Sequence, residues 1–146
     1  MFKIKENYLI SIVSKQIMED NEDEVVIKTM GDFTEIGNKK YITYKEYDEA
    51  NPEKYNLSII KFEAPNSVTL IKNGKNQSKL ILEKGKRHHS PYYTEFGMIM
   101  TGVFTNSIDF YFSKNEGELK IKYSLDINSG FVSANEVTVK IQKMSE

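Results

Sequence analysis

The chain has 146 residues, a formal net charge of −1 and no cysteine or tryptophan. Its length suits one domain with a single continuous core, and hydrophobic and charged fractions of 39% and 28% are those of a globular rather than a disordered chain. The absence of cysteine excludes disulfides, thiolate metal sites and cysteine nucleophiles and suits a reducing compartment, while the small net charge gives no overall pull toward nucleic acid or an anionic membrane.

Residues Met1 to Asn7 alternate charge with apolar side chains where a signal peptide needs an apolar run, and nothing approaches the roughly 20 apolar residues that cross a bilayer. The expectation is a cytoplasmic protein without a membrane segment. Period-two alternation recurs along the chain, and period 3.6 does not.

β-Branched and aromatic residues predict strands at Tyr8–Met18, Glu24–Ile36 and Lys39–Tyr47. The acidic knot Glu19, Asp20, Glu22, Asp23 and Glu24 reads as a solvated turn between the first two. Gly37-Asn38 can supply the positive φ angles of a tight hairpin before the third. The polar gap Asp48–Lys54, containing Asn51-Pro52, is where a helical turn or a lid would sit.

Strands at Tyr55–Glu63 and Ser67–Lys72 follow, separated by Ala64-Pro65-Asn66, and Asn73-Gly74 starts a second tight hairpin into Lys79–Glu83. Here Lys72, Lys75, Lys79, Lys84, Lys86 and Arg87 outnumber Glu83. This basic stretch holds no aromatic residue on which a base could stack, so no nucleic-acid partner is expected. After Lys84-Gly85 come strands around His88–Glu95, at Met98–Thr105 and at Ser107–Ser113, the last two able to form one long bent strand.

The strictest alternation runs from Glu118 to Ile127, with Leu119, Ile121, Tyr123, Leu125 and Ile127 on one face and Glu118, Lys120, Lys122, Ser124 and Asp126 on the other. The strand from Ala134 to Gln142 alternates Val137, Val139 and Ile141 with Glu136, Thr138, Lys140 and Gln142. Most connections are too short for a parallel crossover, so consecutive strands pair antiparallel. A meander of about eight to ten strands avoids long open edges by closing into a barrel or by splitting into a sandwich. Short loops throughout favour closure, since Greek-key sandwiches usually need longer crossing connections. The predicted fold is therefore all-β, one antiparallel up-and-down barrel spanning residues 1–146.

The run Tyr92–Thr105 (YYTEFGMIMTGVFT), followed by Gly117–Ile127 (GELKIKYSLDI), resembles the YwiB-like family of uncharacterised bacterial β-barrel proteins, a domain of unknown function. The resemblance extends through the hairpin Thr69–Lys79 (TLIKNGKNQSK) and covers most of the chain. It implies a barrel similar in shape to calycins such as lipocalins and fatty-acid-binding proteins, and it implies no established activity. The Gly-x-Trp signature of typical lipocalins is absent, since the chain has no tryptophan.

Arg87-His88-His89, followed by Tyr92 and Tyr93, gathers the chain's only arginine and both histidines. In an extended segment adjacent residues point to opposite faces, so at most one histidine enters the barrel and the two cannot chelate one metal from a regular strand. Tyr41, Tyr44, Phe62, Phe104, Phe110 and Tyr123 can line a ligand cavity or fill the interior. The ligand-binding candidates are thus Arg87, His88, His89, Tyr93, Phe104 and Tyr123; no catalytic or metal-binding set is assigned. No phosphate loop, nucleophile elbow, His-Glu-x-x-His or dinucleotide fingerprint occurs, and no cofactor is expected.

The leading expectation is a non-enzymatic barrel that binds an unidentified small or amphipathic ligand. Met98, Met100 and Phe104 oppose Ile99 and Val103, making that segment apolar on both faces and supporting an alternative as a structural or interaction module, with a homo-oligomer as one form. An enzyme centred on Arg87, His88 and Tyr93 is the third reading.

Overall fold

In a computed structural model, which describes residues 6–47, 50–73, 78–127 and 130–144, the chain forms ten strands. In order they are β1 (Tyr8–Met18), β2 (Asn21–Ile36), β3 (Lys39–Tyr47), β4 (Tyr55–Glu63), β5 (Ser67–Asn73), β6 (Ser78–Glu83), β7 (Arg87–Thr94), β8 (Gly97–Phe112), β9 (Glu116–Ile127) and β10 (Gly130–Lys143). They make one antiparallel sheet in the order β6-β5-β4-β3-β2-β1-β10-β9-β8-β7. The meander is circular because β1 pairs with β10, Ile12 opposite Val139.

The sheet's two ends, β6 and β7, meet at a seam, so the barrel is nearly closed. No regular ladder joins them. Instead Gly85 N–H donates to Thr105 O at 2.9 Å, and Ser90 Oγ donates to Lys79 O at 3.3 Å. Pro91 lies in β7, an end strand where a missing backbone donor is tolerated. The antiparallel course brings the facing strand ends of β1 and β2, β3 and β4, β5 and β6, β7 and β8, and β9 and β10 to one rim, here the upper, and the start of β1 and the end of β10 to the lower.

Alternation determines the interior. Ile10, Ile42, Phe62, Val68, Leu82, Val103, Leu119, Ile121 and Val139 are buried from strands all round the barrel. Toward the lower rim Phe62 packs on Phe110 with ring centroids 4.7 Å apart, and Phe33 stacks on Phe112 at 5.6 Å. Phe110 itself is 42% exposed, at the edge of this aromatic cluster. Gly31 lets β2 run close over Ile10, since a Cβ there would strike the Thr43 carbonyl and the Ile10 side chain.

The segments expected as Met98–Thr105 and Ser107–Ser113 are one strand, β8, whose register with β9 shifts between Thr105 and Ser107. That bulge inserts Asn106 and exchanges the two faces beyond it. The gap after β3 contains a turn, closed by Lys54 N–H donating to Asn51 O at 3.0 Å. Gly74 and its hairpin lie outside the described residues.

Candidate functional site

The upper half of the barrel is hollow and more polar. A cavity of about 280 Å³ is walled by Ile12, Ile27, Ile60, Leu70, Leu80 and Val137, with Tyr44, Glu46, Ser58, Lys72 and Tyr123 among them. A second hollow of about 450 Å³ toward the upper rim shares Ser14, Tyr123 and Val137 with it and adds Gln16, Asp23 and Asn135.

Register brings the polar wall together. Tyr44 and Glu46 are alternate residues of β3 and project to the same face; Tyr44 is opposite Ser58 of β4, and Ser58 is opposite Lys72 of β5. The Tyr44 hydroxyl donates to Glu46 Oε1 at 3.2 Å, and Lys72 Nζ stands 3.7 Å from Glu46 Oε2. Burial, reinforced by the Glu46 carboxylate, raises the Tyr44 pKa well above the usual tyrosine range. Ser58 acts in the opposite direction on Tyr44, ahead of the Glu46 hydrogen bond in its effect, although its Oγ stands outside hydrogen-bond geometry with the phenol.

Ser58 is 2% exposed, and its Oγ has no hydrogen-bond partner. Buried hydroxyls are normally satisfied, so one left open toward a cavity is a contact awaiting a guest. Thr105 Oγ1 is the second such atom, on a residue directly opposite Tyr123. Burial also raises the Tyr123 pKa. Across the cavity, Asn135 Nδ2 donates to Ser133 Oγ at 3.0 Å and Gln16 Nε2 donates to the same oxygen at 3.4 Å.

The sequence-predicted residues fall in different places. Tyr123 lines the cavity. Phe104, expected to face inward, is on the outer surface and 37% exposed; its neighbours Val103 and Thr105 take the inward positions. Arg87 is also outside, ion-paired with Asp126 and lying over Gly102, where a Cβ would collide with the guanidinium. His89 is exposed.

His88 is opposite the fully buried Val103, and its Nε2 lies 3.0 Å from Glu83 Oε1 across the seam. This pair, assisted by Lys86, holds the Glu83 carboxyl below its usual pKa. Tyr93 pairs through its backbone with Met98, but its side chain lies outside the described residues. Arg87, His88 and His89 are therefore a seam and surface group, separate from the cavity wall. Of the other aromatics considered, Tyr44 lines the cavity, whereas Phe62 and Phe110 pack together below it.

Sequence reasoning did not assign Glu46, Ser58 or Lys72 to a site, and Lys72 stood out only as part of the basic stretch. Their signals were slight: Glu46 two residues after Tyr44, and Ser58 alone among the apolar residues of Leu57–Ile60. Their convergence depends on cross-strand register. Among the described residues, no cluster of three or more His, Asp or Glu side chains is arranged to hold a metal ion. No helix among them is long and apolar enough to cross a membrane.

A larger hollow of about 670 Å³ lies on the outside along β1, lined by Leu9, Met30, Lys28 and Lys140 among others. It brings no set of polar groups to a point. The interior cavity is the stronger candidate despite its smaller size, because buried and unsatisfied polar atoms distinguish a binding site from a surface furrow.

A solved structure, described as the crystal structure of ywiB protein from Bacillus subtilis, has the same fold. It superposes with a TM-score of 0.80 over 97% of this chain and 96% of that one, at 17% sequence identity. No curated protein matches the chain. The family described as Domain of unknown function (DUF1934) matches residues 10–139. The matched span runs from near the start of β1 to the later part of β10, through every strand of the barrel, and the chain belongs to the DUF1934 family.

Proposed function

We propose that the protein is a non-enzymatic binding barrel whose upper cavity holds a small ligand with an apolar body and a polar head. The observation that carries this reading is the unpartnered Ser58 hydroxyl, 2% exposed, on the wall of a cavity of about 280 Å³. Ile12, Ile27, Ile60, Leu70 and Leu80 offer the body an apolar surround, while Tyr44, Glu46 and Lys72 stand where a head group would be oriented. The volume is at the lower end of the ~300–1,000 Å³ typical of ligand pockets, which favours a compact molecule over a long lipid chain. This is calycin-like use of a barrel interior, and the cysteine-free composition supports a cytoplasmic setting.

Native mass spectrometry of the protein purified from its source tests the reading. The expected result is a bound low-mass species that is lost from Leu70→Trp, a substitution that fills the cavity, while circular dichroism remains β-type. Retention of the same species by the filled variant would place binding elsewhere and remove the proposal.

A second reading, association through an outer face, is favoured by the exposure of Met98 (54%), Met100 (48%) and Phe104 (37%) along one side of β8. Sedimentation separates the two: a monomer across the micromolar range counts against self-association.

A further inference from the structure

We infer that the ligand is a small organic cation, an amine on a compact apolar body, whose ammonium is received where Tyr44, Glu46 and Ser58 converge. The inference rests on the cavity being a ligand site. An ammonium group has donors and no acceptor, so its receptor must present acceptors. Because the Tyr44 hydrogen is given to Glu46 Oε1, the phenol oxygen keeps a lone pair for another donor. Ser58 Oγ is unpartnered and able to accept. The Glu46 carboxylate completes a set of three acceptors matching the three N–H bonds of a primary ammonium.

The alternative, an anionic head, finds a poorer receptor among the described residues. The only arginine of the chain is on the outer surface with Asp126. The cation at the cavity mouth, Lys72, is 55% exposed and already faces Glu46. Among the described residues of the cavity wall, that shared cation alone would compensate a carboxylate or phosphate leaving water to approach Glu46. The lysine's 3.7 Å separation from Glu46 is longer than a hydrogen bond, so an entering ammonium can take the closer position and release Lys72 to solvent.

The field at the rim has the same sense. Asp23 and Glu24, the latter paired with Lys15 at 3.9 Å, line the neighbouring hollow together with that lysine, at the base of the β1–β2 tip that also carries Glu19, Asp20 and Glu22, so the carboxylates are in excess. Carboxylates concentrated beside a mouth raise the local concentration of cations and their rate of arrival.

Three ligands with one skeleton test this: cyclohexylmethylamine, cyclohexylmethanol and cyclohexanecarboxylate, titrated into ¹⁵N-labelled protein at neutral pH and followed through the amide shifts of β3, β4 and β5. The amine is expected to bind about tenfold more tightly than the alcohol, and the carboxylate more weakly than either. Glu46→Gln is expected to erase the amine's advantage, bringing its affinity to within about twofold of the alcohol's in the same variant.

A carboxylate that binds as well as the amine, an amine no better than the alcohol, or an amine advantage that survives Glu46→Gln each overturns the inference while leaving the cavity a binding site. If none of the three shifts the cavity amides, the inference falls together with the reading beneath it.

Discussion

Tyr44 donates its hydroxyl hydrogen to Glu46, two residues along the same strand, at 3.2 Å inside the barrel. Burial first, and the adjacent carboxylate second, keep the phenol protonated beyond its ordinary pKa of 10.0. The unfolded chain ionises this tyrosine at the ordinary value, whereas the folded chain does not. The stability from keeping it neutral is therefore complete below pH 10 and lost as pH rises beyond it. Tyr44→Phe should make alkaline destabilisation shallower, as measured by urea unfolding from about pH 8 to pH 11. An unchanged slope would exclude Tyr44 as a source of that loss.

Ser58 yields a prediction whose sign separates structure from function. Its hydroxyl is buried without a partner, a condition that costs about 1–3 kcal/mol. Ser58→Ala should therefore leave the free protein as stable or stabilise it by roughly 1 kcal/mol, while weakening ligand binding. Loss of stability in denaturant titrations would mean that the hydroxyl supports the fold.

Two phenylalanines test which face is inside. Phe62 is 1% exposed and packed on Phe110, so Phe62→Ala should cost about 3–5 kcal/mol by urea unfolding. Phe104 is 37% exposed on the outside, and Phe104→Ala should cost less than about 1 kcal/mol. Equal costs would contradict the inward and outward assignment.

That pair also shows how far the sequence could be read. Strands such as Glu116–Ile127 were evident because one apolar face must meet a core, and a period of two is the only regular pattern that puts Leu119, Ile121 and Tyr123 together. Phe104 and Phe110 are an even number of residues apart and read as lying on one face. The bulge at Asn106 separates them, sending Phe104 out and Phe110 onto Phe62. A bulge has no strong local signature when the inserted residue is polar and exposed. The cavity wall was hidden for a different reason: Glu46, Ser58 and Lys72 come from three strands and meet only through ladder register.

The seam between β6 and β7 supplies the acid-side prediction. Glu83 receives the His88 ring nitrogen at 3.0 Å and Lys86 Nζ at 3.1 Å, and these partners, His88 foremost, hold its carboxyl below the ordinary range. A lowered folded-state value contributes stability that is present above the unfolded carboxylate pKa and lost as pH falls through the folded one. Glu83→Gln should therefore reduce the difference in stability between neutral and acidic pH. The same variant weakens a charge-assisted side-chain tie between sheet ends that share no regular ladder, so hydrogen exchange should quicken at Gly85, whose N–H donates to Thr105 O at 2.9 Å. Exchange at core positions such as Ile121 should change less, because their opening requires rupture of antiparallel ladders on both sides. Uniform acceleration at Gly85 and Ile121 would show that the seam opens only with the whole barrel.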